Sequence, residues 1–233
     1  MFYPFYFDPT YFLVIIGAVL CLLASAKVRS TYSRYQQVRS ASGLTGCEAA
    51  QRILHYSGIN DVRVEHVPGN LTDHYDPRSK VLRLSDSTYN SPSVAAIGVA
   101  AHECGHAVQH AKGYAPLSLR SALVPVANFG STIAWPLIII GFLFNNQTSS
   151  LLITIGIVAF SLAVLFQIVT LPVEFNASSR ALAVLGETGM LQTEELSMTR
   201  KVLSAAALTY VASAASAILQ LLRLVLLSNR RND

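Results

Sequence analysis

Charged side chains are scarce in this chain of 233 residues. Asp, Glu, Lys and Arg together make up 13% of it, and the mean hydropathy is +0.43. Ordinary soluble proteins carry roughly 25% charged residues. So few charges cannot cover the surface of a soluble protein of this size, and the composition therefore predicts a membrane protein.

Cysteines and nucleic-acid signals are also lacking. Cys21, Cys47 and Cys104 are odd in number and widely spaced, with no C-x-x-C pair among them. This excludes a disulfide framework and favours buried apolar thiols over a chemical role. The net charge of +4 comes without a basic patch interleaved with aromatic residues, so no nucleic-acid partner is expected.

Positive charge is distributed unevenly along the chain. Eleven of the 17 Lys and Arg residues lie between Lys27 and Arg120, whereas residues 11–26, 123–144 and 151–171 carry no charge. A spanning helix needs about 20 apolar residues, and each of these runs approaches or reaches that length. The positive-inside rule then places residues 27–120 in the cytoplasm and the N-terminus outside.

These runs predict a predominantly α, multi-pass membrane protein with three or four transmembrane helices. The number depends on residues 203–227, which carry one charge, Arg223, and either span the membrane or lie along its surface. The predicted divisions are an N-terminal transmembrane anchor (1–26), a cytoplasmic catalytic part (27–120), a transmembrane hairpin (121–171) with a short outer turn, a cytoplasmic helix (172–202) and a C-terminal apolar helix (203–233).

The polar section of the chain contains signals for a helix and for short strands. Thr45 and Glu48 fit a capping box, and Gly58 suits the position just after the end of that helix. Alternating residues in 62–67 and 80–85 predict two strands joined by a loop. The polar section is therefore expected to combine helices with a small sheet.

The sequence HECGH, residues 102–106, lies within a further predicted helix over residues 92–112. Ser91 is the predicted N-cap, Pro92 occupies the first helical position, and Gly113 follows the last turn. The H-E-x-x-H pattern therefore lies on a helix, as its chemistry requires.

Residues four apart share one face of a helix, so the imidazoles of His102 and His106 can bind one metal ion. Glu103 lies one residue further round, where it can contact a metal-bound water and act as the general base. The alternative is a chance match, because the pattern fixes only three positions. The position of the pattern between two helix caps favours a metal site.

Catalytic zinc needs a third protein ligand. No histidine follows His110 and no cysteine follows Cys104. His110 itself lies two turns from His102, about 12 Å along the helix, which is too far to share an ion. A downstream ligand must then be a carboxylate, and the candidates are Glu174, Glu187, Glu194, Glu195 and Asp233.

Glu174 is favoured among these candidates. Pro172 predicts the start of a helix that follows the hairpin, and Glu174 falls in its first turn. The hairpin would bring this helix back beside the helix that carries the H-E-x-x-H pattern. The alternative is that Glu174 only stabilises the positive end of the helix dipole.

The combined patterns LTDHYDPRSKVLRLS, VAAHECGHAVQHA and PVEFNASSRAL resemble the YugP-like neutral zinc metallopeptidases of bacterial membranes over nearly the whole chain. HECGH followed by EFNASSRA is also similar to the gluzincin membrane peptidases, including the HtpX-like group, whose second helix carries E-x-x-A-D. The resemblance implies a gluzincin-like α+β catalytic domain with a short β-sheet, Zn²⁺ ligands at His102, His106 and Glu174, and Glu103 as the catalytic base. Ser178 occupies the position of that aspartate, which leaves open the partner that orients a ligand histidine.

The residues that would bind a substrate are less well defined. The strand at 80–85 is either a sheet edge that pairs with an extended peptide or an ordinary core strand. The donor to the developing oxyanion is expected among His74, Tyr75 and Arg180. Asp73 and Asp76 favour an acidic turn over a second metal site.

The predicted function is a membrane-bound zinc metalloendopeptidase, a hydrolase of the cell membrane whose active site faces the cytoplasm and cleaves membrane or membrane-near polypeptides. Intramembrane proteolysis is disfavoured, because only about nine apolar residues precede His102. The alternative is a non-catalytic, zinc-stabilised membrane scaffold that binds a partner protein, although structural zinc would need no base such as Glu103. Besides substrate and lipid bilayer, the alanine-rich last helix leaves room for a membrane protein partner or a homo-oligomer.

Overall fold

The computed structural model describes residues 8–144 and 147–232 of the chain. Residues 1–7 of the predicted anchor, residues 145–146 of the predicted outer turn, and Asp233 lie outside the described residues. The elements in chain order are α1 (Tyr11–Tyr35), α2 (Gly46–Tyr56), β1 (Arg63–Val67), β2 (His74–Asp76), β3 (Val81–Ser85), α3 (Val94–Ala111), α4 (Ala115–Leu143), α5 (Gln147–Glu187) and α6 (Thr193–Asn232).

The chain divides into two compact units. The polar unit comprises Ser25–Ser118 and Pro172–Leu208, and the apolar unit comprises Met1–Ala24, Leu119–Leu171 and Thr209–Asp233. Within the described residues, the four helices α1, α4, α5 and α6 are long and apolar enough to cross a membrane. The predominantly helical, multi-pass fold with a small sheet is therefore confirmed, with four candidate spans.

The predicted start of a helix at Pro172 is wrong. Helix α5 continues through Pro172 without a break. Proline removes one N–H donor, but unwinding the helix beside an apolar run would leave several backbone groups without water to pair with. Glu174 therefore lies in a helix interior, and stabilisation of a helix N-terminus cannot explain its presence.

The predicted single helix over residues 172–202 is wrong as well. It consists of the end of α5 and the first residues of α6, which are separated by residues 188–192. Gly189 in this turn has a φ of +64°, a left-handed conformation that favours glycine. The predicted apolar stretch from residue 203 continues directly from the polar start of α6, so both belong to one helix of 40 residues.

The sheet of the polar unit has three strands in the order β1-β3-β2. Strand β3 pairs in parallel with β1 and antiparallel with β2, and Leu82 faces Val64 on one side and Tyr75 on the other. The sequence prediction missed β2, which has only three residues and lies in the predicted loop. Because β3 is central and largely buried, the hypothesis that it forms an edge for substrate is wrong.

Helix α3 is enclosed in the core of the polar unit, and two glycines allow its neighbours to approach closely. A Cβ built on Gly105 would lie 2.5 Å from the carbonyl oxygen of Ala177 in α5, and one on Gly98 would lie 2.6 Å from Thr199 Cγ2 in α6. The N-cap is Ser93 rather than the predicted Ser91. The Ser93 hydroxyl accepts from the Ala96 amide at 3.1 Å, so the helix begins two residues later than predicted.

The predicted capping box of the preceding helix is confirmed. The Thr45 hydroxyl accepts from the Glu48 amide at 3.2 Å, and the Glu48 carboxylate accepts from the Thr45 amide at 2.9 Å. Gly58 follows the helix with a φ of +71°, as its position in the sequence predicted. Both ends of α2 are therefore defined by local sequence. The helix packs on α3 in the core of the polar unit.

The apolar unit is packed through small residues. A Cβ on Gly130 in α4 would lie 2.6 Å from the carbonyl oxygen of Ala159 in α5, so the two backbones are in close contact there. Arg223 in α6 lies within 3.6 Å of the Asp8 carboxylate and 4.1 Å above the ring of Tyr11. A charge within an apolar helix is thus paired inside its own unit.

Candidate metal centre

Two turns of α3 and one turn of α5 bring the three candidate ligand side chains together. His102 Nε2 lies 3.3 Å from Glu174 Oε2, and His106 Nε2 lies 3.6 Å from the same oxygen. The two imidazole rings are 4.8 Å apart and almost perpendicular, at 84°. The close approach of α3 and α5 at Gly105, which lies between the two histidines, makes this convergence feasible.

The geometry and the chemistry of this group fit a zinc ion. Bonds of about 2.0–2.2 Å at tetrahedral angles place neighbouring ligand atoms about 3.3–3.6 Å apart. The two distances to Glu174 match that spacing, and one ligand atom from each of the three residues lies within 4.8 Å of the others. Two imidazoles and one carboxylate also leave a fourth position for water, as in catalytic zinc sites.

Both ring nitrogens that face away from this group have hydrogen-bond acceptors. His102 Nδ1 lies 3.1 Å from the Ser178 hydroxyl oxygen, and His106 Nδ1 lies 3.0 Å from Gln109 Oε1. A neutral imidazole that donates through Nδ1 presents the lone pair of Nε2. Gln109 Oε1 can only accept, so it favours the tautomer of His106 whose Nε2 can bind a metal, and the Ser178 hydroxyl is able to accept the corresponding bond from His102.

Gln109 is the residue that the sequence prediction missed. Its side chain is completely buried, and its amide nitrogen donates to the Val173 carbonyl at 2.8 Å and to Asn176 Oδ1 at 3.0 Å. These two bonds leave Gln109 Oε1 directed at His106. A buried glutamine three residues after a ligand histidine, on the same helix face, is the signal that could have revealed it.

The chain of hydrogen bonds continues along α5 from Asn176 to Arg180. Arg180 Nε donates to Asn176 Oδ1 at 2.7 Å, and its guanidinium lies 5.9 Å from the centre of the Tyr114 ring. Arg180 was predicted as a candidate oxyanion donor. The structure connects it to His106 through two side chains, so its charge belongs to the network that holds the site.

The centre is enclosed and negatively biased. The side chains of His102, His106 and Glu174 are 15%, 11% and 3% exposed, and Glu103 is buried as well. Burial lowers the pKa of His106, but the hydrogen bond to Glu174 and the charge of Glu103 outweigh it, so that this pKa is raised overall. A cation is therefore favoured at this position.

Cys104 lies between the two histidines but faces the opposite side of α3. Its thiol is completely buried and lies 3.6 Å from the carbonyl oxygen of Ala50. Burial raises the pKa of this thiol well above its usual value, and an unreactive, protonated sulfur results. The predicted structural role of Cys104 agrees with this environment.

The other downstream carboxylates of the described residues, Glu187, Glu194 and Glu195, lie outside this group. Glu195 accepts from the amides of Ala41 and Gln192 at 2.7 and 2.8 Å, and Glu187 lies 3.5 Å from the Tyr56 hydroxyl. Among the described residues, His102, His106 and Glu174 form the one group of three His, Cys, Asp or Glu side chains close enough to hold a metal. Glu174 was the favoured candidate of the sequence analysis.

The remaining predicted residues have partners of their own. His74 Nδ1 lies 2.9 Å from the Thr72 carbonyl oxygen, and the Tyr75 hydroxyl lies 2.8 Å from His110 Nδ1. Asp73 accepts from the Ser85 amide and hydroxyl, whereas Asp76 accepts from Arg78 and Ser79. The two aspartates thus hold loops, as the predicted acidic turn requires.

The comparisons with known proteins agree with this centre. The sequence model of a family described as "Putative neutral zinc metallopeptidase" matches residues 10–229. The chain is also 48% identical to the "Putative membrane protease YugP" of Bacillus subtilis (strain 168) over 216 residues, which are 93% of this chain and 95% of that protein. No solved structure matches the chain significantly. Since the family match covers nearly its whole length, the chain belongs to this family of neutral zinc metallopeptidases, and its His102, His106 and Glu174 side chains lie close enough together to hold a metal ion.

Proposed function

We propose that this membrane zinc protease is an endopeptidase that hydrolyses peptide bonds of membrane or membrane-near proteins on the cytoplasmic side of the cell membrane. The observation that carries the proposal is the convergence of His102 and His106 of α3 with Glu174 of α5, with Glu103 next to the two histidines on α3. A purely structural zinc site would have no use for a buried carboxylate that is not a ligand. The same observation speaks against the scaffold hypothesis.

In this proposal His102, His106 and Glu174 hold the zinc ion, and Glu103 is the catalytic base. The zinc ion held there would supply Lewis-acid chemistry, lowering the pKa of a bound water towards ~7 and polarising the substrate carbonyl. Glu103 takes the proton of the attacking water and delivers it to the leaving amine. Ser178 and Gln109 hold the two imidazoles in the orientation that this chemistry requires.

The cytoplasmic orientation is supported by the distribution of positive charge. Ten Lys and Arg residues lie in the first segment of the polar unit, 25–118, and three more in its second segment, 172–208. By the positive-inside rule, this unit belongs on the cytoplasmic side. Helix α3 is not among the candidate spans of the described residues, which favours a site outside the lipid over intramembrane proteolysis.

The proposed organisation of the chain follows from this orientation. The first helix is the anchor, residues 27–120 contribute the H-E-x-x-H helix, and the hairpin formed by α4 and α5 returns the chain to the third ligand. An extended substrate that pairs with the sheet must pair with β1 or β2, because β3 has a neighbour on both sides.

The experiment uses the full-length protein purified in detergent, with two variants. Glu174→Ala should lose most of its zinc, because two imidazoles alone do not hold catalytic zinc. Glu103→Gln should retain one zinc per chain and lose chelator-sensitive cleavage of an unfolded protein substrate. Undiminished cleavage by the zinc-loaded Glu103→Gln variant would refute the assigned base, and undiminished zinc in Glu174→Ala would refute the ligand set.

A further inference from the structure

A cavity in the polar unit, away from the metal centre, lies between the last turns of α1 and the first turns of α6. Its volume is about 540 Å³, within the range of small-molecule sites in proteins. The residues that line it come from positions 27–35 and 200–208, and none of them belongs to the metal centre. The cavity is therefore separate from the chemistry proposed above.

Four cationic side chains surround this cavity. Lys27 and Arg34 are contributed by α1, and Arg200 and Lys201 by α6. None of the described residues that line the cavity is acidic, and the ion pairs found within the described part of the chain do not include any of these four cations. Like charges gathered without counter-ions repel each other, so an anion bound among them would be stabilised.

The cavity also lies where two apolar runs begin. Lys27 is the first charged residue after the uncharged residues 11–26 of α1, and Lys201 is the last before the uncharged residues 202–222 of α6. At 1.5 Å per residue, Lys27 and Lys201 are each within one helical turn of an uncharged run. The cavity wall includes Leu208, whose side chain is 47% exposed, so apolar surface adjoins the four charges.

We propose that this cavity binds the headgroup of an anionic phospholipid, with Lys27, Arg34, Arg200 and Lys201 around the phosphate and Leu208 against the first part of an acyl chain. Basic pockets between membrane helices on the cytoplasmic side suit such headgroups, and the cytoplasmic leaflet is the one that attracts juxtamembrane cations. The hydroxyl of Ser30, which also lines the cavity, donates to the Lys27 carbonyl at 3.1 Å, so the cations are the groups that would bind the phosphate. A soluble polyanion would make no use of the apolar side of the cavity.

The experiment measures lipid binding to the full-length protein in neutral detergent by native mass spectrometry. The probes are dioleoylphosphatidylglycerol, dioleoylphosphatidylcholine and inorganic phosphate, each titrated separately. The test variant is Lys27→Gln with Lys201→Gln. The matched control is Arg29→Gln with Arg52→Gln, which removes the same charge from exposed positions of α1 and α2 outside the cavity. Because peptidase activity is not measured, failure of this proposal would be distinct from failure of the proposed function.

The expected result is that phosphatidylglycerol binds more tightly than phosphatidylcholine, and that the test variant loses this preference by on the order of tenfold or more, since each juxtamembrane cation contributes about a fivefold factor. The control variant should retain it. Equal binding of both lipids, or equal losses in both double variants, would overturn the proposal. Displacement of the bound lipid by equimolar inorganic phosphate would instead assign the cavity to a free anion and would equally overturn the lipid occupant.

A folding defect in the test variant would be recognised from its unfolding temperature without lipid. In that case Lys201→Gln alone is compared with Arg29→Gln alone. A loss of lipid preference confined to Lys201→Gln would support the proposal, and no difference between the two single variants would overturn it.

Discussion

The hydroxyl oxygen of Ser178 lies 3.1 Å from Nδ1 of His102, so α5 supplies both a ligand-group carboxylate and the partner of the histidine next to it. Ser178 follows Glu174 by four residues, the spacing at which the E-x-x-A-D motif that this sequence resembles has its aspartate. A serine can accept the Nδ1–H bond and so direct Nε2 at the metal, but it adds no negative charge. The site therefore has a neutral partner on His102, where a carboxylate would make the imidazole more basic.

Replacing Ser178 tests this relationship. Ser178→Ala should weaken zinc binding by about 10–100-fold, the usual effect of removing the partner of a ligand histidine. Ser178→Asp should bind zinc at least as tightly as the natural chain, because a carboxylate accepts the same bond. The dissociation constant is measured by competition with a chelator at fixed pH. Ser179→Ala, a change at the exposed neighbouring position, is the control, and an equal effect in both alanine variants would contradict the assignment.

Replacing Gln109 should lower stability and zinc affinity more than the loss of a neutral side chain would suggest. Gln109→Leu leaves His106 Nδ1 without its acceptor and removes the amide donor that Gln109 gives to the Val173 carbonyl and to Asn176 Oδ1. Each unmade buried hydrogen bond costs about 1–3 kcal/mol, so we expect a marked loss of stability together with weaker zinc binding. Thermal unfolding with and without a chelator separates the two effects.

The control for this prediction is Gln51→Leu, which makes the same change at an exposed position of α2. Gln109→Glu adds a second comparison, because its carboxylate accepts from His106 but cannot donate to Val173 or Asn176. Zinc affinity that is retained in Gln109→Glu and lost in Gln109→Leu would identify the bond to His106 as the important one. Normal zinc affinity in Gln109→Leu would show that His106 needs no partner.

Local signals in the sequence predicted much of the fold and of the site. The capping box at Thr45 and Glu48 and the alternation of residues 80–85 each involve only a few neighbouring residues. Such local patterns can be recognised from the sequence without knowledge of the tertiary structure. The candidate third ligand was predicted in a different way. Exclusion of later histidines and cysteines left carboxylates alone, and the hairpin made Glu174 the one that returns beside α3.

Features that depend on distant neighbours could not be predicted in this way. Strand β2 is too short for a periodic signal and forms because β3 offers it a partner. Pro172 is a helix breaker in isolation, but α5 continues through it because unwinding would cost more backbone hydrogen bonds. The role of Gln109 depends on Val173 and Asn176, which are more than 60 positions away in the chain.

The contact of α3 with α5 at Gly105 should be essential to the metal centre. Gly105→Ala would place a methyl group 2.5 Å from the backbone carbonyl oxygen of Ala177, and backbone cannot move aside as a side chain can. We expect a loss of about 1–3 kcal/mol in the free energy of unfolding and weaker zinc binding, because Glu174 would move away from His102. Zinc titration of the folded variant measures the second effect.

Gly186→Ala is the matched control within α5. The nearest atom to its added Cβ is a methyl carbon of Leu196 at 3.3 Å, which can rotate away. Because alanine favours helix over glycine by up to ~1 kcal/mol, this variant should be as stable as the natural chain or more stable. Similar behaviour of the two glycine variants would mean that the α3–α5 contact does not constrain the site.

In the apolar unit, the ion pair of Asp8 with Arg223 should contribute far more to stability than the ion pair of Asp8 with Arg230. Both arginines lie near the same carboxylate, at 3.6 and 3.5 Å, but the side chain of Arg223 is 12% exposed and that of Arg230 is 59% exposed. An enclosed charge that loses its partner keeps its desolvation cost, whereas an exposed one regains water. A double-mutant cycle of Asp8→Asn with Arg223→Gln should therefore give a coupling of about 1–3 kcal/mol, against ~0–0.5 kcal/mol for the cycle with Arg230→Gln. Both coupling energies are obtained from free energies of unfolding measured in mixed detergent micelles. Equal couplings would mean that Arg223 connects α6 to α1 through the Tyr11 ring rather than through Asp8.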